Sequence, residues 1–517
     1  MTARAFDHDV VIVGSGFGGS VAALRLASKG YRVHVFEAGR RFADADFAKT
    51  SWDVRRYLWA PAIGCFGVQR IHKLPHVMIL AGAGVGGGSL NYANTLYEPG
   101  PAFFADRQWQ GIADWQAELA PHYATAKRML GVVPEYPHSG PVEQIMADAA
   151  ADLGVGETFR RAPVGVYFGR PGETVADPFF GGEGPDRTGC TLCGNCMVGC
   201  RVGAKNTLAK NYLALAERLG TTIEPLRTVV EVRERTGGGF IVTTVRSGAW
   251  FGRDRRSVTA EQVVFGAGTW GTQQLLHRMK DTGLLPRISG RLGALTRTNS
   301  EALVGSQTTD RRYRKQHGAE KVDFTKGVAI TSSIHPNAST HIEPVRYGKR
   351  SNAMGGMTIL QVPYSIKGGK ARVAGWLGNV AKHPWLMVRS LSNRRWSERT
   401  IIGLVMQTLD NSLTTYRKEK GIGKGLLTAR QGHGAPNPTQ IPEATEAATL
   451  LAKEINGFAG SNVGELMGTP LTAHFLGGCP IGDSAESGVI DPYHRLYGHP
   501  GISVVDGAAV SANLGVN

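Results

Sequence analysis

Four cysteines lie within eleven residues of the sequence, at the spacing C-x2-C-x2-C-x3-C. They are Cys190, Cys193, Cys196 and Cys200. In bacterial ferredoxins, thiolates at this spacing wrap an iron–sulfur cluster, and the fourth cysteine serves a second cluster and is followed by proline. Here Arg201 follows and the sequence has no second run. We therefore predict one three-iron or four-iron cluster held by the first three thiols, with Cys200 or the remote Cys479 as the fourth ligand.

Other uses of this cysteine run stay open at the level of sequence. Zinc sites usually join two short cysteine pairs through a longer loop, rather than crowding four thiols together. A disulfide pair, or a thiol-rich turn beside a cofactor, would also place these residues close in sequence. Six cysteines with four in one run do not form the pattern of a disulfide framework.

A glycine-rich turn near the start predicts a dinucleotide site. The apolar run DVVIV at 9–13 leads into GSGFGGS, then into a segment of helical composition and a second strand that ends in Glu37. Gly14, Gly16 and Gly19 stand in G-x-G-x-x-G phase, which allows a tight turn, close approach of a pyrophosphate and packing of the helix on the sheet. The helix N-terminus then faces the phosphates. Glu37 could accept hydrogen bonds from a ribose 2′-hydroxyl, which argues against NADP and does not separate NAD from FAD.

Three later segments are also rich in glycine, and 69 of the 517 residues are glycine, about 13% where about 7% is usual. The segments are AGAGVGGGSLNYANTL at 81–96, VVFGAGTWGTQQLL at 263–276 and GISVVDGAAVSANLGVN at 501–517. The second runs from a strand through a Gly-Ala-Gly turn into a helix, as expected where another strand meets the phosphates of a cofactor. We therefore expect these distant segments to converge on one dinucleotide.

Taken together, these segments resemble the glucose-methanol-choline (GMC) family of FAD-dependent alcohol oxidoreductases. The matching pieces extend from residue 9 to residue 517, and RTNSE, THIEPVRYG and TAHFLGG are most similar to its bacterial, actinobacterial-type cholesterol oxidase branch. The resemblance implies FAD and an α/β fold, with a Rossmann-like FAD-binding domain and an inserted α+β substrate domain built on an antiparallel sheet. It also implies a set of FAD-binding residues. These are Gly14, Gly16, Phe17, Gly18, Gly19, Glu37, Gly84, Gly86, Gly88, Ser89, Asn91, Val230, Gly268, Asp506 and Gly507.

The resemblance places the chemistry on three further side chains. His474 in LTAHFLGG and Asn517 in LGVN match the histidine and asparagine that take the hydroxyl proton and orient the hydroxyl. Histidine suits the first task because its unperturbed pKa lies near neutral pH. Glu343 in HIEPVRYG looks like the carboxylate that moves a proton between ring carbons in cholesterol oxidases. The alternative for Glu343 is a surface salt bridge to Arg346 or Lys349.

Two features depart from the family pattern. The well-known secreted cholesterol oxidases lack the cysteine run, and a cluster beside the flavin would pass single electrons to a carrier or quinone instead of O2. Chains of the family also continue past the closing GVN with a proline and a helix over the flavin, whereas this sequence ends at Asn517. Either a further segment follows in the whole protein, or the Asn517 amide stands at a frayed end of the chain.

These features favour FAD-dependent oxidation of a 3β-hydroxysteroid to the ketone, with or without a Δ5 to Δ4 isomerisation. Two other functions fit the same motifs. One is a GMC dehydrogenase of another lipophilic alcohol that passes electrons through an iron–sulfur cluster to a carrier or quinone, and the other is an electron-transfer flavoprotein with a vestigial alcohol site. The expected partners are a sterol or other lipophilic alcohol and, as electron acceptor, O2, a protein or a quinone. No nucleic-acid motif is recognisable.

Positive charge is concentrated in one region of the sequence. The net charge is +16, and between Lys367 and Gly425 twelve Lys and Arg residues stand against three acidic ones. Trp376, Trp385 and Trp396 are interspersed with this charge, which suits a segment lying on an anionic membrane surface. A substrate-domain lid with a solvated basic face is the alternative. Since no long apolar run and no signal peptide are recognisable, we expect a cytoplasmic protein and leave a peripheral membrane association open.

The predicted domain organisation is discontinuous. Residues 8–100, 200–300 and 465–517 are expected to form the FAD-binding domain, because they carry the motifs that meet on the cofactor. Residues 105–199 would form a cap with the cysteine-rich segment, and residues 301–464 the substrate-binding domain.

Overall fold

A computed structural model describes residues 6–75, 77–251, 253–318 and 321–517 of the chain. The β-strands of these residues are β1 (His8–Val13), β2 (Val33–Phe36), β3 (Trp59–Ala60), β4 (Cys65–Phe66), β5 (Gln69–Leu74), β6 (Val77–Gly82), β7 (Arg160–Arg161), β8 (Thr174–Val175), β9 (Arg187–Thr188), β10 (Thr222–Glu224), β11 (Arg227–Glu234), β12 (Phe240–Arg246), β13 (Arg256–Phe265), β14 (Ala302–Gln307), β15 (Ser332–Asn337), β16 (Thr340–Val345), β17 (Thr358–Leu360), β18 (Thr400–Gln407), β19 (Leu413–Arg417), β20 (Leu427–Gln431), β21 (Phe458–Asn462), β22 (Leu471–Thr472) and β23 (Ile502–Val504). The α-helices are α1 (Phe17–Ala27), α2 (Val54–Tyr57), α3 (Pro101–Phe104), α4 (Trp115–Met129), α5 (Pro141–Asp152), α6 (Tyr212–Arg218), α7 (Gly268–Asp281), α8 (Asp310–His317), α9 (Gly369–Lys382), α10 (Pro384–Ser390), α11 (Trp396–Arg399), α12 (Pro442–Glu454) and α13 (Val463–Met467).

The first large sheet is built around the predicted strand, turn and helix at the N-terminus. Strands β10, β2, β1, β13 and β23 run parallel, and β12 and β11 extend the sheet in antiparallel fashion. Residues 10–13 of β1 are buried, as expected for a parallel strand covered on both faces. Helices α1 and α7 directly follow the adjacent strands β1 and β13, so both helices begin at the carboxyl edge of the sheet. In parallel α/β sheets this edge binds the ligand.

The second large sheet is antiparallel, with strand order β17, β21, β14, β18, β16, β15 and β7. Its two faces are distinct because successive side chains point to opposite sides. Val304 and Val405 pack in a core with α5 and α12, whereas Leu303, Ile402 and Leu404 belong to a different cluster on the other face. The α/β fold class, with its Rossmann-like part and its antiparallel sheet, is confirmed.

The two sheets relate closely to the predicted domain segments, although the exact boundaries stay a prediction. The first sheet uses residues 8–36, 222–265 and 502–504, and the second uses residues 302–462. The predicted cap also contributes the edge strand β7 and helix α5 to the second sheet and its core. Part of the cap segment is therefore a structural element of the second sheet and not only a covering layer.

Within the described ranges, no helix combines the length and the apolar character that a membrane span requires.

Candidate active site

Two neighbouring cavities lie between the sheets. One is a cleft of about 600 Å³ at the carboxyl edge of the first sheet, and the other is a chamber of about 470 Å³ against the second sheet. Phe17, Gly82, Gly88, Ala473 and Phe475 line both cavities. A ligand in the cleft and a ligand in the chamber would therefore meet across these residues.

Ten of the residues predicted to bind FAD line the cleft. They are Gly14, Gly16, Phe17, Gly18, Glu37, Gly88, Val230, Gly268, Asp506 and Gly507. They come from five separated segments of the chain, and this convergence agrees with the prediction that distant motifs meet on one dinucleotide.

Glycine is required where these segments approach each other. Gly14 has a φ of +96°, in the region that favours glycine, and a Cβ on Gly18 would lie 1.8 Å from the carbonyl oxygen of Val505. Helix α1 begins after Gly16, and no side chain caps its first turn. The first N–H groups of α1 thus remain available for an anion such as a pyrophosphate.

The polar groups of the cleft also fit FAD. Glu37 is buried and accepts hydrogen bonds from the backbone N–H of Ser15 and Gly39 and from the Ser15 hydroxyl, which leaves part of its acceptor capacity free. Arg70 lines the same cleft, and its buried Nε has no hydrogen-bond partner among the described residues. Buried polar atoms are normally paired, so this guanidinium is suited to an anionic ligand.

The other five predicted FAD residues shape the cleft or its surroundings without lining it. A Cβ on Gly19 would fall 2.1 Å from the Gly14 carbonyl oxygen, so this position allows α1 to pack against the turn. Gly84 and Gly86 have positive φ values in the second glycine-rich loop, and the buried Ser89 hydroxyl donates to the Gly86 carbonyl. Asn91 lines the chamber and donates to Gln69.

The chamber is predominantly apolar, with a small polar group at the end that adjoins the cleft. The apolar lining includes Leu96, Ile330, Val345, Ile402 and Leu404. The predicted residues His474 and Asn517 both line it, together with Glu301. An apolar cavity with a few convergent polar groups is typical of a site for a small hydrophobic ligand.

Glu301 fixes the position and the charge of His474. The carboxylate of Glu301 is fully buried and accepts from His474 Nδ1 at 2.5 Å, and from the backbone N–H of Ala473 and of His474. It also accepts a hydrogen bond from the Thr472 hydroxyl, whose oxygen lies 2.8 Å from Glu301 Oε1. With Nδ1 committed to Glu301, Nε2 is the His474 atom that faces Asn517, whose Oδ1 lies 2.9 Å away.

This environment changes the protonation of His474. Burial alone would lower the pKa of the imidazole, but the charge of Glu301 and the hydrogen bonds to Glu301 and Asn517 outweigh it and raise the pKa to about 9. The unperturbed pKa of histidine, near neutral pH, therefore does not describe His474 in this environment. His474 is a cation at pH 7, and it becomes a proton acceptor only above its raised pKa.

Asn517 connects His474 with Glu343. Its amide Nδ2 donates to Glu343 Oε2 at 2.9 Å, and its backbone carbonyl accepts from Tyr97 N–H. Asn299 holds the preceding residues, because its Oδ1 accepts from Gly515 N–H and its Nδ2 donates to the Val516 carbonyl. The amide is thus fixed between the two other predicted catalytic side chains.

Glu343 lies behind Asn517 and does not line the chamber. Its side chain is fully buried and bonds to Asn517 and to His341 Nε2, the latter at 2.9 Å. The alternative salt bridges do not form, because Arg346 pairs with Glu143 and Lys349 pairs with Asp323.

Sequence reasoning missed Glu301 and His341. Glu301 ends the RTNSE segment, where only its family likeness was noted and no role could be read from the residues. His341 could have been found, because it precedes Glu343 by two residues on the same strand and therefore shares its face of the sheet.

The cysteine run does not form a recognisable metal centre. Among the described residues, no group of three or more His, Cys, Asp or Glu side chains is arranged to hold a metal ion. Cys190, Cys193, Cys196 and Cys200 do line one small cavity of about 20 Å³, which is room for about one water molecule. Burial raises the pKa of Cys190 to about 12 and of Cys196 to about 11. The structure thus does not confirm the predicted iron–sulfur cluster, because the described residues contain no formed metal-binding group.

Cys479 is not part of that cavity. It is buried in the core of the first sheet, so the expectation that it could supply the fourth ligand is wrong.

Comparisons with known proteins agree with this geometry. Two family models match the chain, GMC oxidoreductase over residues 428–517 and NAD(P)-binding Rossmann-like domain over residues 12–46. A cholesterol oxidase from Mycobacterium tuberculosis is 57% identical, with 99% of this chain and 88% of that protein aligned. A cholesterol oxidase from Acinetobacter baumannii is 41% identical over 100% and 92% of the two chains. The solved structure of pyridoxine 4-oxidase from Mesorbium loti shares the fold, with a TM-score of 0.59 at 15% identity over 98% of this chain and 95% of that one.

Fold, site and relatives together define an FAD-dependent oxidoreductase that acts on alcohols. The chain belongs to the GMC oxidoreductase family, in the branch that contains the bacterial cholesterol oxidases. The resemblance seen in the sequence and FAD as the cofactor are thereby confirmed.

Replacement of the buried carboxylate, Glu301→Gln, should lower the pKa of His474 from about 9 toward its ordinary value of 6.5. Below its pKa the imidazole is protonated and cannot accept a proton. The rate of anaerobic flavin reduction by cholesterol should therefore rise with pH up to about 9 in the unmodified protein and reach its plateau at lower pH in the variant. Stopped-flow absorbance between pH 6 and pH 10 measures both profiles. This range extends about half a unit below the lower pKa and about one unit above the higher pKa.

Glu465→Gln is a matched control, because Glu465 is also a buried carboxylate but bonds to neither His474 nor Asn517 among the described contacts. Its pH profile should coincide with that of the unmodified protein. Identical profiles for Glu301→Gln and the unmodified protein would contradict control of His474 by Glu301.

Proposed function

We propose that the protein oxidises a 3β-hydroxysteroid to the 3-ketone, with O2 as the final electron acceptor. One observation carries the proposal: the apolar chamber ends in the His474 and Asn517 side chains at the wall shared with the FAD cleft. A rigid, largely hydrocarbon alcohol with one hydroxyl at its end matches this distribution of polarity. The 57% identical relative that carries the name cholesterol oxidase supports the same substrate class.

The side chains of the chamber have separate tasks in this reaction. FAD, when bound in the cleft, supplies the acceptor for the hydride of the carbinol C–H bond. Apolar walls exclude water from the reacting end of the alcohol. The Nε2 atom of His474 and the amide of Asn517 orient the hydroxyl, and Nε2 holds or accepts its proton according to pH. Glu301 keeps the imidazole in the orientation that presents Nε2.

Isomerisation of the resulting Δ5 ketone to the conjugated Δ4 ketone is the second part of the proposal. The proton has to leave C4 and return at C6, which suits a single carboxylate in an apolar site. Glu343 is that carboxylate, but the Asn517 amide stands between it and the chamber. The amide makes one side-chain hydrogen bond to each neighbour, so a rotation of this side chain would give Glu343 access to the substrate.

In the Glu343→Gln variant above about pH 9, where His474 can take the hydroxyl proton, anaerobic cholesterol should still bleach the flavin, whereas the unconjugated 5-en-3-one should accumulate. The glutamine introduced at position 343 has the same shape as glutamate and can still form hydrogen bonds, but its amide cannot accept the C4 proton. The absorbance of the conjugated enone and chromatography of the products measure the outcome. Equal formation of the 4-en-3-one by the variant and the unmodified protein would remove Glu343 from the mechanism.

The same bleaching assay separates the other functions of this fold. The 3α-hydroxy epimer of the sterol and a long-chain primary alcohol are the matched substrates. Bleaching by the primary alcohol but not by cholesterol would favour a dehydrogenase of another lipophilic alcohol. Protein that no alcohol bleaches, but that a reduced carrier protein reduces, would favour an electron-transfer flavoprotein.

A second candidate, electron transfer through an iron–sulfur cluster to a carrier or quinone, has one observation in its favour. Lys205 lines the thiol cavity, and Arg187 is buried nearby beside Asn206. Lys205 donates only to backbone carbonyls and Arg187 to the Ala204 carbonyl and the Asn206 side chain, so neither cation is paired with a carboxylate in the part of the chain described. Burial lowers the pKa of Lys205 to about 7. Clusters held by cysteine thiolates are anionic and would compensate both charges.

If this candidate is correct, anaerobically purified protein should contain about four iron atoms and a similar amount of acid-labile sulfide per flavin. Cys196→Ser should lose both, whereas Cys65→Ser is the control, because Cys65 is buried outside the thiol cavity. Fully flavinated protein without iron and with O2-dependent turnover would leave the oxidase as the function.

The basic region forms an exposed helical hairpin that suits an anionic membrane. Helix α9 ends at Lys382, and Pro384 begins α10. The two helices and the residues just before α9 expose several large apolar side chains. These are Ile366, Val373, Leu377, Trp385, Val388 and Leu391. Helix α9 packs against α13 and β17, next to Asn462 and Thr358 of the chamber wall. We infer that the hairpin rests on the bilayer that holds the sterol.

Three lysines of this surface are exposed, Lys367, Lys370 and Lys382. Their combined replacement by glutamine should weaken binding to anionic vesicles. Each lysine near such a surface is worth about 1 kcal/mol, so the partition constant should fall on the order of 100-fold at low salt. Co-sedimentation with phosphatidylserine vesicles measures it. Replacement of the exposed Lys29, Lys73 and Lys315 is the control. Equal loss in both triple variants would contradict a specific membrane surface.

A further inference from the structure

The hydrogen bonds of the active site continue beyond Glu343 toward the surface. Glu343 Oε1 lies 2.9 Å from His341 Nε2, and His341 Nδ1 lies 3.2 Å from His335 Nε2. Glu343 and His341 are fully or almost fully buried, whereas His335 is half-buried and is followed after one residue by the exposed Asn337. A continuous series of titratable groups thus leads from the polar end of the chamber to solvent.

One tautomer of each histidine satisfies the whole series. Once Glu343 holds a proton, its O–H donates to His341 Nε2 and His341 Nδ1–H donates to His335 Nε2, and a shift of each proton along its hydrogen bond releases one proton from His335 Nδ1. Burial, and then the neighbouring His341, lowers the pKa of His335 to about 4, so this ring is neutral at physiological pH. A neutral imidazole can accept a proton at one nitrogen and release one at the other, which makes it a relay group.

Tyr97, which packs against His341, does not act as a competing proton acceptor. The ring of Tyr97 packs edge-on against His341, with centroids 5.0 Å apart, and its hydroxyl donates to Ser333. Burial, and then the Glu343 carboxylate, raises the pKa of Tyr97, so the phenol keeps its proton. Arg160, from the edge strand β7, is the charged group near the outer end of the series, at His335.

The proposed oxidation creates a need for such a path. Oxidation of the alcohol breaks the C–H and O–H bonds; the hydride passes to FAD, and the hydroxyl proton has to leave an apolar chamber. His474 is already protonated at neutral pH because of Glu301. The next group that can hold a proton is Glu343, one rotated amide away.

We propose that Glu343, His341 and His335 form a proton path that connects the chamber with bulk solvent. The inference rests on the proposed oxidation of an alcohol by FAD and adds His341 and His335 as relay residues that touch neither the substrate nor the cofactor. The path releases the hydroxyl proton during flavin reduction. It also returns Glu343 to its carboxylate form after the oxidation, so that the same group can then accept the C4 proton and deliver it to C6.

The test compares flavin bleaching with the appearance of a proton in solution. FAD-loaded protein is mixed anaerobically with cholesterol in neutral detergent micelles, in weak buffer with a pH-indicator dye. In the unmodified protein, the dye signal should keep pace with bleaching. In His341→Gln, release of the proton should lag behind bleaching by about tenfold or more, because glutamine keeps a hydrogen bond but cannot pass a proton.

A second variant keeps the test decisive if His341→Gln does not fold. His335→Ala removes only the outer, half-buried group, and added imidazole should restore the timing of proton release. His317→Gln, at an exposed histidine of α8, is the control and should release its proton in step with bleaching.

The possible results separate the two proposals. Proton release that follows bleaching without delay in both relay variants would overturn the path while leaving the oxidation intact. Unmodified protein that cholesterol and the other alcohols fail to bleach would overturn the proposed function, and the path with it. A purely structural role of His341 would slow bleaching and proton release together and would also count against the path.

Discussion

The organisation of the active site depends on one buried negative charge. The Glu301 carboxylate is removed from water and is compensated by four donors, all contributed by residues 472–474. A buried charge that loses its partner costs several kcal/mol, so the position of this carboxylate determines where His474 has to lie. The loop that ends in Glu301 also carries Asn299, which binds the residues before Asn517. One loop therefore positions both the imidazole and the amide.

That loop adopts a backbone conformation that few side chains favour. Asn299 and Ser300 are both in the left-handed region, with φ values of 57° and 45°. Such residues cost of order 1–3 kcal/mol each and persist where the surrounding structure determines them. Here the compensation is visible, because Asn299 N–H donates to Asn513 and the Ser300 hydroxyl donates to Asn411. The strain is thus balanced by contacts that join the loop to the final segment of the chain and to residues that follow the second sheet's long strand β18.

The sequence was most informative where function is encoded locally. Gly14, Gly16 and Glu37 could be recognised because a phosphate-binding turn requires particular residue types at fixed spacing, and all three line the cleft. The role of Glu301 could not be read from its neighbours, because it arises only when a loop before β14 meets residues 173 positions further along. The same limit applies to the pKa of His474, because its shift from the ordinary histidine value depends on that distant charge. At the cysteines, spacing predicts proximity, and the four side chains do line one small cavity, but spacing alone cannot show whether they are arranged to hold a metal ion.

The two sheets divide the reaction between them. Ala473 and Phe475 face both the cleft and the chamber, so His474 lies at the boundary of an electron-accepting site and a substrate site. The parallel sheet provides helix N-termini and close backbone approach, which suit an anionic dinucleotide but would not stabilise a proton. The antiparallel sheet provides alternate side chains on one face, and on strand β16 these are His341, Glu343 and Val345. In the proposed reaction the hydride therefore leaves toward the cleft and the proton toward Glu343 and His341, which lie on the antiparallel sheet.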